Sequence, residues 1–315
     1  MLPGMRTALI VVLVLLALLA GAAWALYVPD RSRAELEPLY LRPPPGYVEA
    51  AGVRLHVRDT GPRFTGGSDG PAVVLVHGFG SSLHTWEDWA AALERTHRVI
   101  RFDVPGFGLT GTDPTGDYTD ARAVAVLGAL MDQLGVARAS LVGNSMGGKF
   151  AWMFAAQHPD RVDKLVLVSP DGFASRGFEY GKRPSVPWML RLLPYVLPEY
   201  LLRKSLEGAF ADPGRLTPAL LARYRDMLLA PGVRRAVVER VGQVELQDPR
   251  PLLARITAPT LLVWGARDAM IPVRNAQDYL AAVKGSRLLE LPGVGHVPQE
   301  ETPEVVGQVL TFLAP

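Results

Sequence analysis

Short apolar runs alternate with helical stretches along most of this chain, and that alternation leaves few folds open. The runs lie at Ala72–Val76, 99–102, 141–142, 165–168, 260–263 and 288–291. Helical periodicity fills about 86–94, 121–134 and 146–157, and a terminal helix is expected over 303–313. Strands that read as unbroken apolar runs are buried on both faces, which requires helices above and below them. The expectation is therefore an α/β fold on a doubly wound, mostly parallel sheet. An earlier stretch, 53–58, alternates apolar and polar residues and predicts a strand ending at the turn Gly61-Pro62. Residues 64–70 read as a glycine-rich loop.

The alternation stops between 172 and 250. That stretch has no clear strand signal, several prolines, and amphipathic helical patches near 188–193, 201–210 and 220–229. It reads as a helical cap inserted between two strands, dividing a core of 47–171 and 251–315. The cap holds 13 Lys and Arg against 8 Asp and Glu, while the whole chain carries only +2. So small a net charge gives no reason to expect a nucleic-acid partner.

Residues 8–28 carry no charge, and these 21 residues would span roughly 30 Å as a helix, the thickness of a bilayer core. Trp24 and Tyr27 stand near the downstream end, where aromatic side chains favour the interface. The expectation is a single-pass membrane anchor over 1–28. The competing reading is a signal peptide, because Arg6 precedes the run and Ala23-Trp24-Ala25 resembles a cleavage site; it would leave a secreted or periplasmic protein. The run exceeds the usual signal core of about 7–15 residues, which favours the anchor. Arg6 on one side and Arg31, Arg33 and Arg42 on the other leave sidedness open. Residues 29–46, with Pro43-Pro44-Pro45, read as an extended Pro-rich tether. The chain has no cysteine, which removes disulfides, a thiolate nucleophile and Cys-ligated metals from consideration.

Gly143-Asn144-Ser145-Met146-Gly147 fits G-x-S-x-G between a strand and a helix. A serine on such a strained turn needs small residues two positions away on each side, and the helix N-terminus directs amides toward developing negative charge. Ser145 is thus the expected nucleophile. Its base is expected to be His296, in the loop after the last strand, with His84 a lesser candidate and His56, His97 and His158 structural. Asp268, just past the 260–263 strand, is the expected orienting acid, and Asp171 is its rival. The order Ser145, Asp268, His296 is the one this type of sheet calls for. The backbone amides of Met146 and Phe79 are the expected oxyanion donors, and His77 is expected to brace its own turn. Gly106 to Gly111 fits G-x-G-x-x-G, but the turn-like residues after it open no helix, so no dinucleotide site is expected.

Taken together, HGFG at 77–80, DVPGFG at 103–108, GNSMGG at 143–148, WGARD at 264–268 and GH at 295–296 resemble the α/β-hydrolase superfamily over about residues 47–315. The resemblance implies eight strands, a cap after the sixth, no cofactor, and the same roles for Ser145, Asp268 and His296. An N-terminal anchor with GxSMGG is similar to membrane-bound monoacylglycerol lipases and carboxylesterases. GNSMGG also resembles carbon–carbon hydrolases of meta-ring-fission products, which usually carry Trp after the histidine, where this chain has Val297. The expected activity is hydrolysis of a lipid-like or medium-chain ester through an acyl-enzyme, with no metal. Trp188 and Leu192 are candidate substrate contacts; the apolar cap residues, these two with Leu193, Tyr195, Leu201 and Phe210, suggest a lipid-like acyl ester, the alternative being that they are merely the core of the cap. The alternatives are carbon–carbon bond hydrolysis and a ligand receptor without turnover.

Overall fold

A computed structural model describes residues 3–62, 71–174 and 179–314; the loop expected at 64–70 lies outside the described residues, as do cap positions 175–178. Eight strands form one sheet: β1 (Pro45–Ala50), β2 (Val53–Thr60), β3 (Ala72–Val76), β4 (Arg98–Phe102), β5 (Ala139–Asn144), β6 (Val162–Val168), β7 (Thr260–Gly265) and β8 (Arg287–Leu291). Their order is β1-β2-β4-β3-β5-β6-β7-β8. β2 is antiparallel to β1 and to β4, and the other pairs are parallel. The sequence pattern predicts a single strand before residue 62, but the structure has two. β1 escapes the pattern because it opens on Pro45-Gly46, residues that carry no strand signal and that suit the first positions of an edge strand.

Side chains on the central strands alternate between two cores. Val74 and Val76 of β3 face one cluster, with Leu165 and Leu167 of β6 and Leu262 and Trp264 of β7. Val73, Leu75, Val166, Val168, Leu261 and Val263 face the other. Helices Asp120–Gln133 and Met146–Gln157 cover the first face. Glu87–Leu93 and Val306–Leu313 cover the second. Each fully buried valine or leucine contributes roughly 1.5–3 kcal/mol over leaving it in water, so both faces need their helices.

The cap lies between β6 and β7 and contains helices Glu199–Glu207, Pro218–Leu228 and Val233–Gln243, with no strand among the described residues. Arg240 ties it to the core by pairing with Asp120 at 2.8 Å, a carboxylate that also holds Lys149 at 2.8 Å.

The N-terminal region differs from the extended spacer expected over 29–46. It holds a helix, Arg33–Tyr40, because Ser32 donates from both N–H and Oγ to the Glu35 carboxylate at 2.8 Å, a helix-starting signal. It is also docked. Asp30 takes the Arg234 guanidinium at 2.7 Å, and Arg31 reaches Asp226 at 2.7 Å. Arg33 donates to the carbonyls of Leu109 and Thr110. Upstream, the expected anchor is helical over Pro3–Leu26. The side chains at 10–18 are exposed, and those at 3–4, 6–9, 19–20 and 22–23 lie outside the described set. Among the described residues no helix is long and apolar enough to cross a membrane, so the structure does not support the span that the sequence predicts.

Candidate active site

Ser145 stands between β5 and helix Met146–Gln157, with φ 53° and ψ −120°. That conformation costs a non-glycine residue roughly 1–3 kcal/mol and persists only where the surroundings impose it. Here they do. The Ser145 N–H donates to Val168 O at 2.9 Å, and its carbonyl accepts from the amides of Lys149 and Asp171, both at 3.0 Å. The glycines of the motif make the turn fit. A Cβ on Gly143 would lie 2.3 Å from Gly147 O, and one on Gly147 would lie 2.2 Å from Val76 O and 2.4 Å from His77 O.

Asp268 and His296 meet as the sequence order predicts. The His296 Nδ1 lies 2.7 Å from Asp268 Oδ2, and both residues are buried. The other carboxylate oxygen accepts from the amides of Met270 at 2.9 Å and Ile271 at 2.8 Å. A carboxylate so placed accepts from Nδ1–H, an arrangement that would leave Nε2 as the nitrogen able to receive a proton. His296 is fixed through its backbone as well, donating to Ala209 O at 2.7 Å and accepting from Asn144 Nδ2 at 3.0 Å. Asn144 thereby ties the histidine loop to the residue before the nucleophile. Among the described residues Ser145 Oγ makes no hydrogen bond to the imidazole. Such bonds are often long before substrate arrives.

The loop 77–80 lies against the nucleophile, since a Cβ on Gly78 would sit 3.3 Å from Ser145 Cβ. The amides of Phe79 and Met146, the expected oxyanion donors, have no protein acceptor among the described residues. His77 braces this loop. Its Nδ1 donates to Gly78 O at 2.8 Å, its Nε2 accepts from Val104 N at 2.9 Å, and burial pushes its pKa down. Asp171 adjoins Ser145 through its backbone N–H, and the carboxylate bonded to His296 is that of Asp268. His56 binds Asp103 at 2.7 Å, His97 binds Thr96 at 2.8 Å, and His158 packs on Phe154. The glycine-rich turn at 106–111 wraps a buried carboxylate: Leu109 N donates to Asp103 at 2.7 Å, and the next helix starts only at Asp120.

His84 is turned away from catalysis by its own bonds, Nε2 to Tyr40 O at 3.0 Å and Nδ1 to Ser82 Oγ at 3.1 Å. Burial pushes it down to about 4, against the pull of Asp103 and with the push of His56 and Arg223. An unfolded chain, with an imidazole pKa of about 6.5, therefore gains this proton first as pH falls. The stability owed to neutral His84 is whole above pH 6.5 and fades between about 6.5 and 4, with roughly 2 kcal/mol gone by pH 5. Urea midpoints at pH 7.5 and pH 5 should differ accordingly, and His84→Gln should shrink the difference. His84 also lines a cavity of about 360 Å³ with Tyr40, Arg42, Arg58, Glu87 and Arg223, which contains none of Ser145, Asp268 or His296.

The candidate substrate contacts are placed differently from the rest of the site. Trp188 and Leu192 are 71% and 45% exposed and belong to neither core cluster, whereas Phe210 is buried and Leu193 packs against the core. Among the described residues no group of three or more His, Asp or Glu is arranged to hold a metal ion.

A family model described as the alpha/beta hydrolase fold matches residues 71–303. A 2-hydroxy-6-oxononadienedioate/2-hydroxy-6-oxononatrienedioate hydrolase of Escherichia coli is 33% identical over 280 residues, 85% of this chain and 94% of its own. An enol-lactonase of Burkholderia xenovorans superposes with TM-score 0.72 and 27% identity, covering 85% of this chain and 99% of its own. A membrane phospholipase A superposes with TM-score 0.71 and 26% identity, covering 98% of both chains.

Proposed function

Because the chain belongs to the α/β-hydrolase fold family, we propose that it is a serine hydrolase cleaving carboxylic esters of lipid-like or medium-chain acids, with Ser145 as nucleophile. The observation that carries this reading is the Asp268–His296 pair, bonded at 2.7 Å and tied through Asn144 to the turn that bears the serine.

His296 Nε2 takes the proton of Ser145 Oγ as the oxygen attacks the ester carbonyl, and Asp268 stabilises the imidazolium. The amides of Phe79 and Met146 receive the oxyanion. Collapse of the tetrahedral intermediate expels the alcohol, which takes the proton from His296. Water activated by the same histidine then releases the acid and restores the serine.

Two features support the lipid-like acyl group. Side chains 10–18, from Ile10 to Leu18, are apolar and exposed, a surface suited to a bilayer rather than to water. The similar membrane phospholipase A covers 98% of this chain. We therefore also propose that residues 1–28 anchor the protein to a membrane. The second reading, carbon–carbon bond hydrolysis of a ring-fission product, is favoured by relatives such as the Escherichia coli hydrolase. The deciding measurement is turnover of p-nitrophenyl esters of graded length beside a ring-fission dienoate. Turnover peaking on medium or long esters is the expected result. Faster turnover of the dienoate than of every ester would replace the first reading with the second, and absence of all turnover would favour a receptor.

A further inference from the structure

The turn that follows His296 carries two carboxylates in succession, and both reach the cap. Glu300 accepts from Tyr224 Oη at 2.8 Å and pairs with Arg223, both on the cap helix Pro218–Leu228. Glu301 is 4% exposed. Its Oε2 accepts from the amide of Gly295 at 2.6 Å, and its Oε1 accepts from the amide of Asp212, in the cap, at 2.8 Å. The same cap segment takes the His296 N–H on Ala209 O at 2.7 Å. Contact is so close that a Cβ on Gly295 would lie 2.6 Å from both Ala209 O and Ala211 N. The loop bearing the base is thus clasped between cap residues 209–212 and one buried carboxylate.

We propose that Glu301 is a positioning residue that couples the cap to His296, so that the seating of the cap sets the approach of Nε2 to Ser145. This rests on the reading of His296 as the base. One carboxylate spans both amides because each oxygen faces one donor, and neither the cap nor the histidine loop can shift alone without breaking a charge-assisted bond. A displacement near 1 Å at a proton-transfer pair can cost about 100-fold in rate, so a clasp of this kind bears directly on turnover. Glu301 touches no reacting atom, and its influence passes through Gly295 and Ala209.

The test uses the full chain and a fluorophosphonate, which needs Ser145 and its base but no particular acyl substrate. Glu301→Gln keeps an oxygen for one amide and turns an NH₂ group against the other. We expect its labelling rate constant to fall about 10-fold or more, with a displaced pH profile for labelling and a melting temperature within about 3 °C of the parent. Glu301→Asp should recover part of the rate. If Glu301→Gln does not fold, Glu301→Asp alone decides by the same rate and profile. A parent that labels normally beside a substituted protein of equal rate and identical pH profile overturns the positioning role alone. A parent that does not label at Ser145 overturns the serine-hydrolase reading and the positioning role with it.

Discussion

Replacing Ser145 with alanine is expected to lower kcat by about 10⁴- to 10⁶-fold on whichever acyl substrate the protein prefers. No neighbouring hydroxyl occupies the same turn, and the imidazole of His296 cannot attack from its place beside Asp268. Activity should therefore fall to what the proposed oxyanion donors, the Phe79 and Met146 amides, and substrate binding supply. Stability should change little, because alanine keeps the Cβ and hence the strain of φ 53°. Ser145→Gly separates the two effects. It should be equally inactive yet gain about 1 kcal/mol or more, since glycine adopts that conformation freely. Steady-state kinetics with fluorophosphonate labelling checks the first statement, and urea unfolding checks the second. Ser145→Ala protein that keeps its turnover would remove Ser145 from the mechanism.

The second large effect is expected from a single methyl group. Gly147→Ala would place a carbon 2.2 Å from Val76 O and 2.4 Å from His77 O, and these are backbone atoms of β3 and of the loop 77–80. Neither can rotate aside, so the helix after Ser145 must retreat from the sheet. We expect a loss of about 4 kcal/mol or more, equivalent to roughly 10 °C or more in Tm, with activity lost even where folded protein survives. Gly307→Ala is the contrast. It lies in helix Val306–Leu313 with nothing within 4 Å of the added carbon, so it should be neutral or stabilising by up to about 1 kcal/mol. Thermal unfolding of the two proteins side by side is decisive. Equal melting temperatures would refute the packing account of G-x-S-x-G.

Much of this site was legible in the sequence because parallel strands put their carboxyl ends on one edge. Once β5, β7 and β8 are recognised as short apolar runs, the residues just past them must gather, and Ser145, Asp268 and His296 are among those residues. Local sequence says least where the deciding contact is long-range. Asn144 sits at an unconstrained position of the motif, yet it binds His296 O across 152 residues. Glu301 meets Asp212 across 89 residues, and no local pattern announces that bond. The helix Arg33–Tyr40 has a local signal, Ser32 with Glu35, but the three prolines after it carry the stronger signal, for extended chain. In the cap, helical periodicity locates apolar faces without saying which of them is covered. Leu202 and Phe210 are buried, while Trp188, Leu192 and Leu201 are exposed.

The docking of residues 28–36 has a mechanical consequence. Asp30 and Arg31 grip the cap within a few residues of the end of helix Pro3–Leu26, and Val28 N bonds Tyr195 O at 2.9 Å. A protein held to a surface by a loose leash tumbles and samples every heading, whereas this one, were the proposed anchor seated in a bilayer, would be mounted on a short, stiff bracket. With the helix fixed in a lipid sheet, the exposed aromatic and aliphatic residues around Trp188 and Tyr195 would be carried at a set height and angle above that sheet. Lengthening the bracket with a flexible insert after Tyr27 would free the body to swivel, and turnover of substrates delivered in vesicles should then decline more than turnover of dissolved ones.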